Sequence, residues 1–312
     1  MKHNTLQFVA AFLVFAALGS FSLAQDKPVG KGKLGIGKFK TTVALIQATT
    51  AKGQINQLNR VVESMDAQLM DALHNSRKFT LVARSDLGDV LGEQKLAESG
   101  NVDTDDAAAA KAFKLAGCQY LIVTTVDNFQ DFIERATFAN LGETSERRIV
   151  QFSCVAKIYD TTSGTLLESA NFQLDNSEVD HQAAGVGISG DLKERLFTQM
   201  ARQMSQRITD RVIDVIYPAK IIARTDKTVT INRGDGTSVA PGQLWEAFAL
   251  GEELKDPDTG ASLGREEVKV GSIRITSIQP LVSKGEVVED KGVDKGQIIR
   301  PVLSTVGTVP PK

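Results

Sequence analysis

The most informative segment of the chain covers residues 79–126 and reads FTLVARSDLGDVLGEQKLAESGNVDTDDAAAAKAFKLAGCQYLIVTTV. Its two ends are β-branched and apolar, which favours strands over residues 78–83 and 120–126. Between them, Ser85 is a good N-cap for one helix, and an alanine-rich second helix follows a polar loop and ends at Gly117. The segment therefore predicts a strand, two helices and another strand in succession.

The same segment carries a set of landmark residues: Arg84, Leu87, Leu91, Glu93, Gln94, Gly100, Ala116, Gly117 and Tyr120. With them it resembles the domain shared by curli-type outer-membrane secretion channels (CsgG) and the outer-membrane activators of penicillin-binding proteins. Residues 158–169, IYDTTSGTLLES, look like the family's recurrent strand, Asp-x-x-x-Gly turn and strand. The family builds parts of cell-envelope machines and is not known for active sites, so the resemblance implies scaffolding or partner binding.

The partners that this resemblance implies are envelope proteins, including outer-membrane or peptidoglycan-associated machinery, and a homo-oligomer is compatible with it. In the channel branch of the family, each protomer inserts β-hairpins into the outer membrane, which here correspond to residues 127–151 and 175–190. The first segment is rich in charge and the second is too short for two strands of about 9–11 residues. We therefore expect a periplasmic assembly or partner-binding protein, with an oligomeric subunit of a curli-type secretion channel as the alternative.

The N-terminus predicts export. Lys2 precedes an apolar run over residues 8–18, and Ser22 and Ala24 are the small side chains that a signal peptidase reads. The run is shorter than the about 20 apolar residues that span a bilayer. We therefore expect cleavage between Ala24 and Gln25, no transmembrane anchor, and a periplasmic protein that associates peripherally with the outer membrane.

Composition argues against nucleic-acid binding and against catalysis. The net charge is −2, whereas a nucleic-acid partner favours a strong basic excess. The sequence lacks the spacing of zinc ligands, and its histidines do not form a Ser-His-Asp or Cys-His pattern. The glycine and lysine spacing over residues 32–38 fails as a phosphate loop because Phe39 replaces the required Ser or Thr. We expect no catalytic residues, no metal and no cofactor.

Hydrophobic patterning predicts an α+β fold, with a CsgG-like mixed sheet packed by helices over residues 41–218. Residues 41–48 are β-branched and apolar, which favours a buried first strand. Apolar residues repeat every three or four positions in two helices, the second of which spans residues 189–217 and ends at Pro218. We expect a signal peptide over residues 1–24 and a flexible lead over residues 25–40, because the latter has few apolar groups.

After Pro218, short β-prone runs alternate with turns, which predicts a small all-β, barrel-like domain over residues 219–303. Residues 256–260 read as a hairpin turn rather than a calcium loop, because Ala261 takes the place of the glycine that such a loop requires. The pattern around residues 242–244 and 293–296 resembles the C-terminal domain of a flagellar assembly protein (FlgT). Residues 304–312 are expected to be a mobile tail.

Two long polar excursions from the predicted sheet, residues 127–149 and 175–190, are the candidate contact surfaces, because such excursions are often functional. The alternative is that they are solvated insertions. The candidate partner-binding residues are Phe129, Phe132, Arg135, Phe138, Glu143, Arg147 and His181.

The two cysteines leave two alternatives open. An exported pair such as Cys118 and Cys154 is able to oxidise to a disulfide. However, Cys154 alternates with Phe152 and Ala156 on the expected buried face of a strand, where free thiols behave as small apolar groups.

Overall fold

The structure is a computed structural model that describes residues 31–83, 117–138, 143–177 and 194–302. Within these ranges the helices are α1 Val43–Ala51, α2 Ile55–Asn75 and α3 Glu194–Ile216. The strands of the first sheet are β1 Gly32–Ile36, β2 Lys40–Thr41, β3 Phe79–Ala83, β4 Tyr120–Phe138, β5 Glu143–Asp160 and β6 Leu166–Asp175. Those of the second sheet are β7 Ile221–Thr225, β8 Thr228–Ile231, β9 Leu244–Lys255, β10 Ser262–Ile278, β11 Ser283–Asp290 and β12 Ile298–Pro301.

The first sheet is mixed, as predicted, and has the order β3-β1-β4-β5-β6, with β2 beside β4. Strand β1 runs parallel to both of its neighbours, whereas β4, β5 and β6 are antiparallel. The turn between β5 and β6 is confirmed, because the Asp160 carboxylate accepts hydrogen bonds from the backbone of Thr162 and Ser163 while Gly164 takes a φ of +74°.

Helices α2 and α3 pack against each other and bury their apolar stripes in the first core, which also includes residues of β1, β4 and β5. The predicted helical periodicity is thus confirmed. The buried side chains of the two helices include Leu58, Val61, Met65, Leu69, Leu73, Phe197, Met200, Met204, Ile208 and Val212.

The predicted flexible lead is wrong for residues 31–40, and residues 25–30 lie outside the described ranges. Strand β1 runs between β3 and β4, and its Leu34 and Ile36 are buried. The glycines that suggested flexibility instead permit close packing: a Cβ on Gly32 would lie 2.6 Å from the Tyr217 hydroxyl oxygen. Glycine content was therefore a poor guide, because it also permits the close approach of a neighbouring chain.

The predicted strand over residues 41–48 is also wrong. After the two residues of β2, the Thr42 side chain accepts a hydrogen bond from the Leu45 backbone N–H and begins α1. This cap overrides the β propensity of the segment. Helix α1 buries only Leu45 and Thr49, so that Val43 and Ile46 are exposed.

The second sheet is antiparallel throughout, with the order β12-β9-β10-β11-β8-β7, which confirms the all-β prediction. It has its own core around Trp245. Its strand ladder does not close into the predicted barrel, because β7 and β12, of five and four residues, form no ladder with each other. Only a short contact joins the two edges: Lys220 and Ile298 form an isolated bridge, and the backbone N–H groups of Ile221, Gly296 and Ile299 donate to the carbonyls of Gln297, Ile221 and Ala219.

The loop between β8 and β9 connects the second sheet to the helices. Arg233 is buried and donates a hydrogen bond to Asp214 of α3, and Ser238 donates its backbone N–H to the Asp210 carboxylate of the same helix. Lys78, which precedes β3, donates to the Asn232 carbonyl. These contacts join the two sheets, and both sheets belong to one compact unit. The predicted limits of the two domains stay predictions.

Candidate partner-binding ribbon

Strands β4 and β5 extend beyond the rest of the first sheet. The pairing of β5 with β6 stops at Gln151 and Asp175. Among the described strands, residues 132–138 and 143–149 pair only with each other. We call residues 132–149 the ribbon; it corresponds to most of the first excursion expected from the sequence.

An almost fully buried ion pair holds the base of the ribbon. Arg148 donates two hydrogen bonds to the Asp131 carboxylate, of 2.7 Å from Nε and 2.6 Å from Nη2. The side chains of the two residues are only 11% and 5% exposed. A bidentate pair of this kind is strongly directional, and removing one partner would leave a buried charge.

Two amide side chains hold the same base. Gln54, at the start of α2, donates from Nε2 to the Asp131 carbonyl at 2.9 Å. Asn176, just after β6, accepts from the Val150 backbone N–H and donates to the Arg148 carbonyl. The helix layer and the end of β6 therefore both fix the point from which the ribbon departs.

Beyond the base, opposite charges face each other across the strands. Arg135 lies opposite Glu146, with 2.6 Å between Nε and Oε1, and Arg147 lies opposite Glu134 at 3.4 Å. Because successive residues of a strand point to opposite faces, these pairs lie on different faces of the ribbon. Exposed pairs add little stability, but they favour this register over a shifted one.

Each face also carries an exposed apolar side chain near the base. Phe132 is 43% exposed on one face and Ile133 is 41% exposed on the other. Helix α1, with its exposed Val43 and Ile46, packs beside the same strand. Exposed apolar side chains on a projecting hairpin are candidates for contact with a partner.

The structure separates the predicted contact residues into groups. Phe129 is a correction: it is buried opposite Phe152 in the core, so it supports the ribbon rather than contacting a partner. Phe132, Arg135 and Arg147 are exposed on the ribbon.

The remaining predicted residues are only partly described, or not at all. The backbones of Phe138 and Glu143 lie opposite each other near the tip, while their side chains, His181 and the cleavage site at Ala24 and Gln25 lie outside the described parts.

Sequence reasoning missed Ile133 and the residues that anchor the base. Strict alternation along β4 would have indicated the two faces, and hence Ile133. The partners Gln54 and Asn176 are 77 and 28 residues away from the backbone groups that they bind, so no local pattern identifies them.

A disulfide between the two cysteines is incompatible with the strand register. Cys154 lies opposite Val126, eight positions from Cys118 along the chain. At about 3.3 Å per strand residue, the two Cα atoms are roughly 20–26 Å apart, whereas a disulfide requires less than about 7 Å. Both are free and buried, and burial raises the pKa of the Cys154 thiol to about 12.

A polar cleft of about 260 Å³ lies where α2, α3 and the loop after β8 meet. It carries charges of both signs, from Arg77 and Arg202 and from Asp71 and Asp235. Its lining residues come from α2 and the turn that follows it, from α3 and from the loop after β8, so the cleft is a part of the junction between the helices and the second sheet.

Comparison with protein families identifies the chain. The model of the family described as curli production assembly/transport component CsgG matches residues 17–227, which is more than half of the chain. The chain therefore belongs to the CsgG family, and this membership supports an envelope-associated protein. The expected likeness of the C-terminal part to the flagellar protein FlgT is not confirmed.

No curated protein matches the chain in sequence. Similar solved structures include the hypothetical protein CT253 from Chlamydia trachomatis, at 10% identity, a TM-score of 0.33, and coverage of 60% of this chain and 98% of that one. The LpoB C-terminal domain from Escherichia coli has 15% identity, a TM-score of 0.27, and coverage of 46% and 82%. The PelC dodecamer from Paraburkholderia phytofirmans has 9% identity, a TM-score of 0.29, and coverage of 56% and 84%. TM-scores this low carry no argument about function.

None of the helices that the structure describes is both long and apolar enough to cross a membrane.

Proposed function

We propose that this chain is a non-enzymatic, periplasmic protein of the cell envelope that binds or assembles partner proteins, and that the ribbon is its main contact surface. The observation that carries the proposal is the ribbon itself, which leaves the sheet from a buried base and exposes Phe132 and Ile133. Membership in the CsgG family supports an assembly role.

The anchored base favours binding because it removes motion that a partner would otherwise have to restrict. The Asp131–Arg148 pair and the amides of Gln54 and Asn176 all act at the same point of the strands. A surface held in its binding conformation loses less entropy when a partner docks. The ribbon therefore offers a preformed surface.

The side chains of the ribbon also indicate how it would be recognised. An exposed aromatic residue such as Phe132 is a suitable anchor for a pocket on a partner. The cross-strand pairs Arg135–Glu146 and Arg147–Glu134 surround the apolar groups with charge of both signs. The expected partner is thus an envelope protein with an apolar pocket and a polar rim.

The test is site-specific photo-crosslinking in intact envelopes, with the photoreactive residue at position 132 or 133. Before irradiation, an excess of the Phe132→Ser protein without the photoreactive residue is added to compete for the partner, and the crosslinked proteins are then captured. Leu167→Ser is the matched control, because Leu167 is equally exposed, at 43%, but lies on β6. We expect the wild type and the control to compete for the partner and Phe132→Ser to compete poorly; equal competition by all three would refute the proposal.

A second candidate function is an oligomeric subunit of an outer-membrane secretion channel of the curli type, which the family's description as a transport component favours. In that function the ribbon would have to enter the membrane. Both of its faces carry ion pairs, and an arginine on the lipid face costs ~2–4 kcal/mol near the midplane. Dye release from liposomes by the purified protein, abolished when residues 132–149 are replaced by a short turn, would establish the channel instead.

A further inference from the structure

The second sheet carries a projecting hairpin of its own. Strand β12 pairs with β9 only from Trp245 to Phe248, and β11 pairs with β10 only from Gly271 onwards. Among the described strands, residues 249–255 and 262–268 therefore pair only with each other. We call residues 249–268 the acidic arm.

The acidic arm has an unbalanced charge. It contains six acidic and two basic residues, which are Glu252, Glu253, Asp256, Asp258, Glu266, Glu267, Lys255 and Arg265. Its net charge is thus −4, more negative than the −2 of the whole chain. The ribbon has three glutamates and three arginines and is neutral.

Most of this negative charge is not compensated by neighbouring cations. Glu267 pairs with Arg300 of β12, and Glu253 lies 3.8 Å from Lys255. Among the described residues, Glu252, Asp258 and Glu266 have no ion-pair partner. On the ribbon, by contrast, opposite charges meet across the strands. The arm therefore presents a negative field that would attract a cationic partner.

The arm also exposes apolar side chains at four positions. Leu250, Leu254, Leu263 and Val268 are 40%, 47%, 63% and 47% exposed. Leu250 lies opposite Glu267 and Val268 lies opposite Ala249, so exposed apolar side chains occur on both faces of the arm. Such an arm differs from the purely polar surface that solubility alone would favour.

We propose that the acidic arm is a second interaction surface, and that its partner is an extended, basic polypeptide segment in which Lys or Arg alternates with large apolar residues. The unpaired acids would steer and orient the segment, and the exposed leucines would contribute affinity by burial. An extended segment fits because the outer edge of β10 before Gly271 has no neighbouring strand among those described. This inference does not depend on the ribbon.

The test measures binding of synthetic peptides to the full chain by fluorescence anisotropy. The probe peptide alternates Lys and Leu; the two comparison peptides alternate Lys and Ser, or Glu and Leu. The arm variant combines Glu252→Gln, Asp258→Asn and Glu266→Gln. Its matched control combines Glu63→Gln, Asp226→Asn and Glu286→Gln, which removes the same charge at exposed positions outside the arm.

We expect the Lys–Leu peptide to bind the wild type and the control equally, and the arm variant about tenfold more weakly. Binding should also weaken as ionic strength rises. A separate variant, Leu254→Ser with Leu263→Ser, should bind the Lys–Leu peptide more weakly than the wild type does and bind the Lys–Ser peptide equally well. Circular dichroism of every variant checks that it is folded.

Several outcomes would overturn the proposal. One is that the Lys–Leu peptide does not bind the wild type. The same holds if the arm variant and its control lose affinity for that peptide to the same extent. Another is that the arm variant abolishes self-association in sedimentation while no peptide binds, which would assign the arm to a second copy of the chain. A third is that calcium alone binds at the arm, measured by calorimetry, and the peptide does not.

Discussion

Arg233, in the loop between β8 and β9, donates from Nη2 to Oδ1 of Asp214 on α3, at 2.6 Å, with its side chain only 3% exposed. Its other terminal nitrogen, Nη1, has no hydrogen-bond partner among the described residues. The hydrogen bond that this buried arginine donates to the helices thus ends on an aspartate that is about half exposed.

This asymmetry predicts that Asp214→Ala will destabilise the protein more than Arg233→Met. The first change leaves a buried cation without its partner, while the second removes the cation and keeps the aliphatic part of the side chain. We expect Asp214→Ala to lower the free energy of unfolding by about 1–3 kcal/mol. Urea denaturation measures both variants, and the reverse order would show that the pair itself is the stabilising element.

Asp210 gives the same junction a dependence on pH. Burial raises the pKa of its carboxyl to about 6, despite hydrogen bonds from Gln206 and from the Ser238 backbone, and with Asp214 and Arg233 nearby. The folded protein therefore holds this proton more tightly than the unfolded chain does. The protonated Asp210 carboxyl thus adds to the free energy of unfolding at low pH, and this gain is lost as pH rises through about 6.

The measurement compares the wild type with Asp210→Asn across this range. We expect the wild type to lose about 2 kcal/mol of unfolding free energy relative to the variant between about pH 4 and about pH 6, and little above it. Parallel curves for the two proteins would mean that Asp210 titrates normally.

Gly236 packs directly against the end of α2. A Cβ at this position would lie 2.3 Å from the Asn75 carbonyl oxygen, and the φ of +81° also disfavours a side chain. Gly242 has a similar φ of +85° but open space around it. We expect Gly242→Ala to cost about 1 kcal/mol from backbone strain, and Gly236→Ala about 2–3 kcal/mol because the loop must also move away. Equal costs in thermal unfolding would rule out the steric part.

Substitutions at the base of the ribbon should lower stability far more than substitutions in its outer half. We expect Arg148→Ala to lower stability by about 3 kcal/mol, because it leaves the Asp131 carboxylate buried without its partner. Arg147→Ala removes an exposed pair and should change stability little. Hydrogen exchange of the ribbon amides provides the local measurement: faster exchange in Arg148→Ala only is expected, and equal effects would contradict a stabilising base.

Periodic elements were predictable because their signal is local. The apolar stripes of α2 and α3, strand β3 and the first part of β4 follow from spacing that neighbouring residues impose on each other. Residues 31–48 were misjudged for the opposite reason. Whether Leu34 belongs to a buried strand depends on β3 and β4, and the start of α1 depends on one side-chain cap at Thr42.

The candidate site shows the same division. Phe132, Arg135 and Arg147 could be proposed because they lie on a long polar excursion, but Phe129 on the same excursion is buried against the sheet. The partners that hold the ribbon base come from α2 and from the end of β6, far away in the sequence.

The family resemblance, the α+β class and the repeating helices could be read from local periodicity and motif residues. Long-range packing was needed to show which charges are buried, which hairpins project and how the two sheets are joined. Those properties depend on contacts such as Arg233 with Asp214 and Arg148 with Asp131. Their energies come from the removal of water when the chain packs, which no single segment undergoes alone.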